Sequence, residues 1–249
     1  MFHLIAWRES IADIIEADVA PVNDGIWAIQ NNHFLPQRDG LLQFVRYGAA
    51  GTNTQARLNS PTFRQQSSPW IRPVEAAIVQ ADKMQVADYR ARPLGIKGLE
   101  ELEFLGQQTT GGAAVVVGIA GVSEGPLQPA PNASVIPMRG TGTTVAVAGA
   151  WTQCPITWQD TLPAGIYAVV GLEFVGVTAL AARVIFEDQV PRPGCVGSGL
   201  LATGSNDIFL GGRLGIWGRF NSNRMPNVEV LCNAADTAQT VFLYFSRLG

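Results

Sequence analysis

The chain has 249 residues, 47% of them hydrophobic and only 15% charged, with a net charge of −3. That length supports one large domain or two compact ones, each with its own core. The longest apolar run, residues 113–120, contains Gly118 and is far short of the roughly 20 residues of a helical membrane span. A slightly acidic chain without a basic run is not built to neutralise phosphates, which excludes sequence-specific nucleic-acid binding as its main work.

In chain order, the first predicted element is a helix. Ile11, Ile14, Ile15 and Val19 fall on one helical face of residues 8–19, Ser10 is placed to cap it, and Pro21 stands just past its end. The spacing predicts a short amphipathic helix within an N-terminal arm, residues 1–20. Such a helix acts as a lid on the local core or as a contact arm toward a neighbour or an inner layer. Residues 1–6 are apolar but run straight into Arg8 and Glu9, which is not the pattern of a secretory signal, so export is not expected.

Beyond Pro21 the texture changes to short runs rich in Val, Ile, Phe and Trp, separated by Gly, Pro, Asn and Thr. This pattern predicts strands at 25–30, 41–47, 54–58, 101–105, 113–119, 144–148, 166–174, 179–187, 207–210, 214–220, 228–231 and 240–246. Residues 75–89 carry a weaker, second helical pattern. With no alternation of strand and helix, the fold class read from the pattern is all-β, a sandwich or jelly roll.

A Pro-rich stretch, residues 125–137, holds Pro126, Pro129, Pro131 and Pro137 near the midpoint and predicts a linker between halves at 21–124 and 138–249. The halves resemble each other in order. Residues 40–45 (GLLQFV) are followed by Thr52, then Ala56, Arg57 and Leu58, then Arg72. Residues 165–170 (GIYAVV) are followed by Thr178, then Ala182, Arg183 and Val184, then Arg192. One gap and one loop insertion align them, which predicts the same β-sandwich used twice in tandem.

Among the 17 basic residues only Lys83 and Lys97 are lysines. Arginine suits protein–protein contacts, from which lysine is depleted, so this bias and the low charge both point to a surface covered by neighbours. Arg57, Arg72, Arg183 and Arg192, the helix residues Ile11, Ile14 and Ile15, and Trp70 and Trp217 are therefore the candidate assembly contacts; for the tryptophans, core packing is the competing role.

Signals for chemistry are sparse. His3 and His33 are the two histidines, and His33, following Asn31 and Asn32 in a predicted turn, reads as a surface residue. Ser198 lies between Gly197 and Gly199, but Val196 stands where a nucleophile elbow needs its first glycine. Glu100, Glu101 and Glu103, and Glu187 with Asp188, are paired acids of the kind that serve glycosidases or bind calcium. Nothing in the sequence aligns them across strands, so they read as solvated strand ends. Cys154, Cys195 and Cys232 lack metal-site or disulfide spacing. The expectation is a non-enzyme with no catalytic residues, no cofactor and no metal.

The two β-rich halves, the Pro-rich link, the paired segments from Gly40 to Arg57 and from Gly165 to Arg183, and the closing strand at 240–245 (TVFLYF) give the chain a family likeness. Over most of residues 21–249 it resembles the double jelly-roll major capsid proteins of tailless icosahedral viruses, especially small phages with an internal membrane. The resemblance implies two tandem jelly rolls and a homotrimer whose six rolls form a pseudo-hexagonal tile. It also implies neighbouring trimers and penton or minor capsid proteins as partners. The N-terminal helix would face inward over any internal membrane, and the chain would reside in the virion after synthesis in the host cytoplasm. Long loops are few, with residues 61–93 the candidate for an outward tower. Two other classes stay open: a carbohydrate- or receptor-binding sandwich, with aromatics and carboxylates gathered in exposed loops, and a glycan-cleaving enzyme.

Overall fold

The computed structural model describes residues 2–12, 15–49, 55–66, 70–71, 85–107, 114–125, 128–129, 133–143, 146–175, 178–190, 192–196, 215–235 and 239–248. The chain divides into two compact units, Ile5–Gly125, and Pro126–Gly249 together with Met1–Leu4. Both are built almost wholly from antiparallel strands.

Among the described residues, the strands of the first half are β1 (Phe2–Ile11), β2 (Ala17–Asp18), β3 (Ala28–Gln30), β4 (His33–Leu35), β5 (Gly40–Ala49), β6 (Gln55–Asn59), β7 (Trp70–Ile71), β8 (Gln85–Asp88), β9 (Leu94–Ile96), β10 (Glu103–Gln107) and β11 (Ala114–Ser123), with one short helix, α1 (Pro61–Gln66). One sheet runs β1-β11-β5-β8, with β9 also on β5; the other runs β2-β10-β6-β7; β3 and β4 form a hairpin. Asn31 and Asn32 turn that hairpin with φ of 50° and 64°, the left-handed pair that a two-residue turn between twisted strands demands. Trp7 of β1 stacks on Phe104 of β10 with centroids 5.3 Å apart and meets Phe34 edge-on at 5.2 Å. A strand of each main sheet thus meets in this core.

The second half carries β12 (Ile136–Gly142), β13 (Thr152–Cys154), β14 (Ile156–Trp158), β15 (Ile166–Val175), β16 (Ala179–Ile185), β17 (Gly194–Val196), β18 (Gly218–Asn221), β19 (Asn227–Cys232) and β20 (Gln239–Arg247). Its sheets run β14-β12-β20-β15-β18 and β13-β19-β16-β17. Tyr167, Phe220 and Phe245 pack mutually, with centroids 5.4 to 5.7 Å apart.

Leaving aside β3, β4, β9 and β14, each unit has, among the described residues, eight strands in the same spatial order. One sheet reads first-eighth-third-sixth, the other second-seventh-fourth-fifth. The repeat seen in the sequence falls on matching members: residues 40–45 and 165–170 enter the third strands, β5 and β15, while Arg57 and Arg183 lie on the fourth, β6 and β16. In each unit the third strand holds one extra residue against the eighth, Gln43 facing the step between Gly121 and Val122, and Val170 between Val169 and Gly171.

The N-terminal helix is not formed over its first part. Residues 8–11 continue β1, and Ala17–Asp18 is β2, paired with β10. The reason lies upstream, where residues 2–7, apolar apart from His3, are buried on both faces. Next to β11 it propagates as strand, and sheet pairing overrides the helical spacing of Ile11 and Val19. The second helical pattern, 75–89, ends in a strand, β8, paired with β5; residues 72–84 lie outside the described residues, as do 207–210. At 144–148 the described part makes an isolated bridge, Ala148 to Cys232, rather than a strand. Among the described residues no helix is long and apolar enough to cross a membrane.

Candidate functional site

The structure takes three of the predicted assembly contacts into the protein's own interior. Ile11 belongs to the first unit's core, and Trp217 is buried against the Phe2 ring at 5.8 Å. Arg183 is 1% exposed. Its Nε donates to Glu229 Oε2 at 2.6 Å, its guanidinium carbon lies 4.0 Å over the Trp151 ring, and Nη1 reaches the Leu4 carbonyl at 3.4 Å. These side chains are not available to a neighbour, because each already has its partners within the fold. The arginine bias at this place reflects a buried, stacked ion pair, the other setting that favours a planar, weakly hydrated cation.

The remaining candidates are placed differently. Arg57 pairs with Glu16 at 2.5 Å while about a quarter exposed. Arg192 is half-buried and accepts the Leu4 N–H through its carbonyl at 3.0 Å. Ile15 is 73% exposed. Trp70 is described through its backbone, paired with Arg57; Ile14 and Arg72 lie outside the described residues. What the sequence did not mark is a set of exposed apolar residues at one end of the second unit's larger sheet. Val135 lies just ahead of β12, which Ile136 opens, Ile166 opens β15, and Leu248, just past β20, donates its N–H to the Ile166 carbonyl at 2.8 Å. Singly such residues are ordinary, but Ile166 and Leu248 lie opposite each other on one face of the sheet, and such a pair marks a surface suited to contact.

The acids at 187 and 188 line a cleft of about 210 Å³ in the second unit, shared with Ile166, Arg219 and Arg224. Both carboxylates lean on one guanidinium, Arg224, at 3.5 and 3.7 Å. They therefore sit side by side instead of facing each other across a bond to be cleaved. Phe186 and Phe220 also line the cleft but are 4% and 7% exposed, so neither offers a sugar a flat face.

His33 is corrected most sharply. It is buried, not a surface residue, and the strand pattern explains its company. Phe34 bridges Leu102, and both point into the core. Because successive side chains alternate, His33, Glu101 and Glu103 share the opposite face. The register of β2 adds Asp18, opposite Leu105 and so on the same face. His33 Nε2 lies 3.4 Å from Asp18 Oδ2, and Nδ1 lies 3.5 Å from Glu101 Oε2. One donor atom each from His33, Glu101 and Glu103 falls within 4.8 Å of the others. The alternation of Glu101, Leu102 and Glu103 was the available signal in the sequence; that His33 lies beside it depends on a contact about 70 residues away in the chain, which no local pattern encodes.

No family model and no curated protein matches this chain. Among solved structures, it is similar to the major capsid protein P2 from bacteriophage PM2, at 9% identity over 100% of this chain and 98% of that one, with a TM-score of 0.27. The PBSX exported protein XepA aligns at 10% identity over 99% and 86%, TM-score 0.24. The glycoside hydrolase domain of Endo-D from Streptococcus pneumoniae aligns at 10% identity over 96% and 33%, TM-score 0.25.

Proposed function

We propose that this chain is a structural, non-catalytic subunit of a virus shell, a major capsid protein in which each unit is a jelly roll. The observation that carries the reading is the recurrence of one eight-strand order in both units. A two-sheet order in which the eighth strand lies between the first and third is that of the jelly roll, an architecture that capsid domains share with lectins and cupins. Two such modules in one chain let three chains present six similar edges, which suits a homotrimer tiling an icosahedral shell with pseudo-hexagonal outline. Its partners are then further copies of itself, neighbouring trimers, and penton or minor capsid proteins, and its place is the virion after synthesis in the host cytoplasm. Subunit contacts in such a shell bury on the order of 2,000 Å², and the exposed apolar pair Ile166 and Leu248 is a surface we expect to be covered.

The test is the state of the purified full chain by multi-angle light scattering and negative-stain electron microscopy. Trimers or larger closed particles are expected, and the double substitution of Ile166→Asp with Leu248→Asp should shift them toward smaller species. A monodisperse monomer at high concentration would overturn the reading in favour of a binding module.

A further inference from the structure

His33 is caught between acceptors. Its side chain is 10% exposed, and among the described residues neither ring nitrogen has a hydrogen-bond partner. A neutral imidazole carries one N–H and one lone pair. An ionised carboxylate can only accept, so with Asp18 beside Nε2 and Glu101 beside Nδ1, one nitrogen can donate while the other turns its lone pair on a carboxylate oxygen. A positive charge between them removes that conflict.

We propose that His33, Glu101 and Glu103 form a binding site for a first-row transition-metal dication, with zinc as its representative, and that Asp18 is the outer partner that orients the imidazole. Three donors bound at 2.0 to 2.2 Å in a tetrahedral arrangement stand about 3.4 Å apart. The three donor atoms here lie within 4.8 Å of one another, and small rotations of two glutamates close the difference. One nitrogen and two oxygens suit such a metal, whereas calcium asks for six to eight oxygens. Nε2–H donating to Asp18 leaves the Nδ1 lone pair aimed at Glu101, the carboxylate–histidine–metal relay found around zinc.

The carboxylates are themselves held. Asn31 donates to Glu101 Oε1 at 2.7 Å, and Asn59 donates to Glu103 Oε2, which Arg64 also approaches at 3.4 Å. In each case, among the described residues, the second oxygen has no hydrogen-bond donor and can face a cation. Arg64 is the rival positive charge, but it is 64% exposed and can swing away. A bound ion ties β4 to β10 within the first unit. The inference does not rest on the shell reading, since a monomer could bind the metal equally well.

The experiment takes the chelator-treated full chain and adds zinc alone, followed by calorimetry and metal analysis. One saturable zinc per chain is expected, displaced neither by calcium nor by magnesium. Asp18→Ala should weaken binding about 10- to 100-fold, and His33→Ala by more. Cobalt in place of zinc should give a visible ligand-field band that His33→Ala removes. Because His33 is buried, circular dichroism monitors each variant, and Glu101→Gln, on a partly exposed side chain, serves as the second ligand test. No stoichiometric zinc in the wild type, which would mean a proton alone sits between the carboxylates, overturns the proposal. So does zinc binding that survives unchanged in both His33→Ala and Glu101→Gln.

Discussion

Arg57 on β6 and Arg183 on β16 occupy the same strand of a shared order, yet the fold treats them differently. Across its ladder Arg183 faces Glu229 on β19 and Gly194 on β17. The acid supplies charge, the glycine takes no room, and Trp151 covers the remaining face. Arg57 faces Leu105 on β10 and Trp70 on β7. With no acid opposite, its partner comes from Glu16, just ahead of β2, and the pair stays partly in water. One topology thus accommodates a buried ion pair in one unit and a surface pair in the other, because the cross-strand neighbours, and not the strand order, set the dielectric around the cation.

The largest effect expected is on Arg183. Arg183→Ala leaves Glu229 without its cation in a mostly buried place and should cost about 3 to 5 kcal/mol in chemical denaturation. Joint replacement, Arg183→Met with Glu229→Leu, should recover most of that loss, because an apolar pair removes both desolvation penalties. A loss under about 1 kcal/mol for the single change would make the two units alike and break the comparison.

Intermediate effects should be equal in the two units. A Cβ on Gly118 of β11 would come within 2.5 Å of the Phe104 ring, and one on Gly218 of β18 within 2.5 Å of the Phe186 ring. Gly118→Ala and Gly218→Ala should each cost about 1 to 3 kcal/mol by overpacking. Unequal melting shifts would show that one core yields more easily than the other.

Arg57→Ala should cost about 1 kcal/mol or less, and added salt should shrink the effect, as for other surface pairs. The smallest difference concerns Tyr244 on β20, whose first-unit counterpart β11 carries no tyrosine. Burial, and then donation to Glu173 Oε2 at 2.7 Å, push its phenol up to about 12. A folded-state value above the unfolded value of about 10 means that the stabilisation is whole below pH 10 and is lost as pH rises through about 12. Burial also raises the Tyr89 phenol, so absorbance titration near 295 nm should show late-ionising phenol from both tyrosines, with the Tyr244 share lost in Tyr244→Phe.

The parts legible in the chain were those with local cause. The strands at 40–49, 166–175 and 239–247 announce themselves by long β-branched and aromatic runs. The repeat of Gly40 to Arg57 in Gly165 to Arg183 falls on two matching pairs of strands, β5 and β6 with β15 and β16. Other strands were hidden in segments whose residues speak for something else. Ile136 and Pro137 fall within the expected Pro-rich link, and Ile136–Gly142 carries a proline and two glycines, yet it pairs along its length with β20.

What the sequence determined by itself was therefore the all-β class, the repeat and the low-charge surface, because each is written in composition and short-range spacing. What only the tertiary structure decided was which polar side chains meet. Phe2–Ile11 became strand through its neighbour β11, Arg183 went inside because Glu229 lay opposite, and His33 found Asp18, Glu101 and Glu103 through ladders that join distant parts of the chain. Such contacts depend on strand register, and a shift of one residue would turn each of these side chains to the other face.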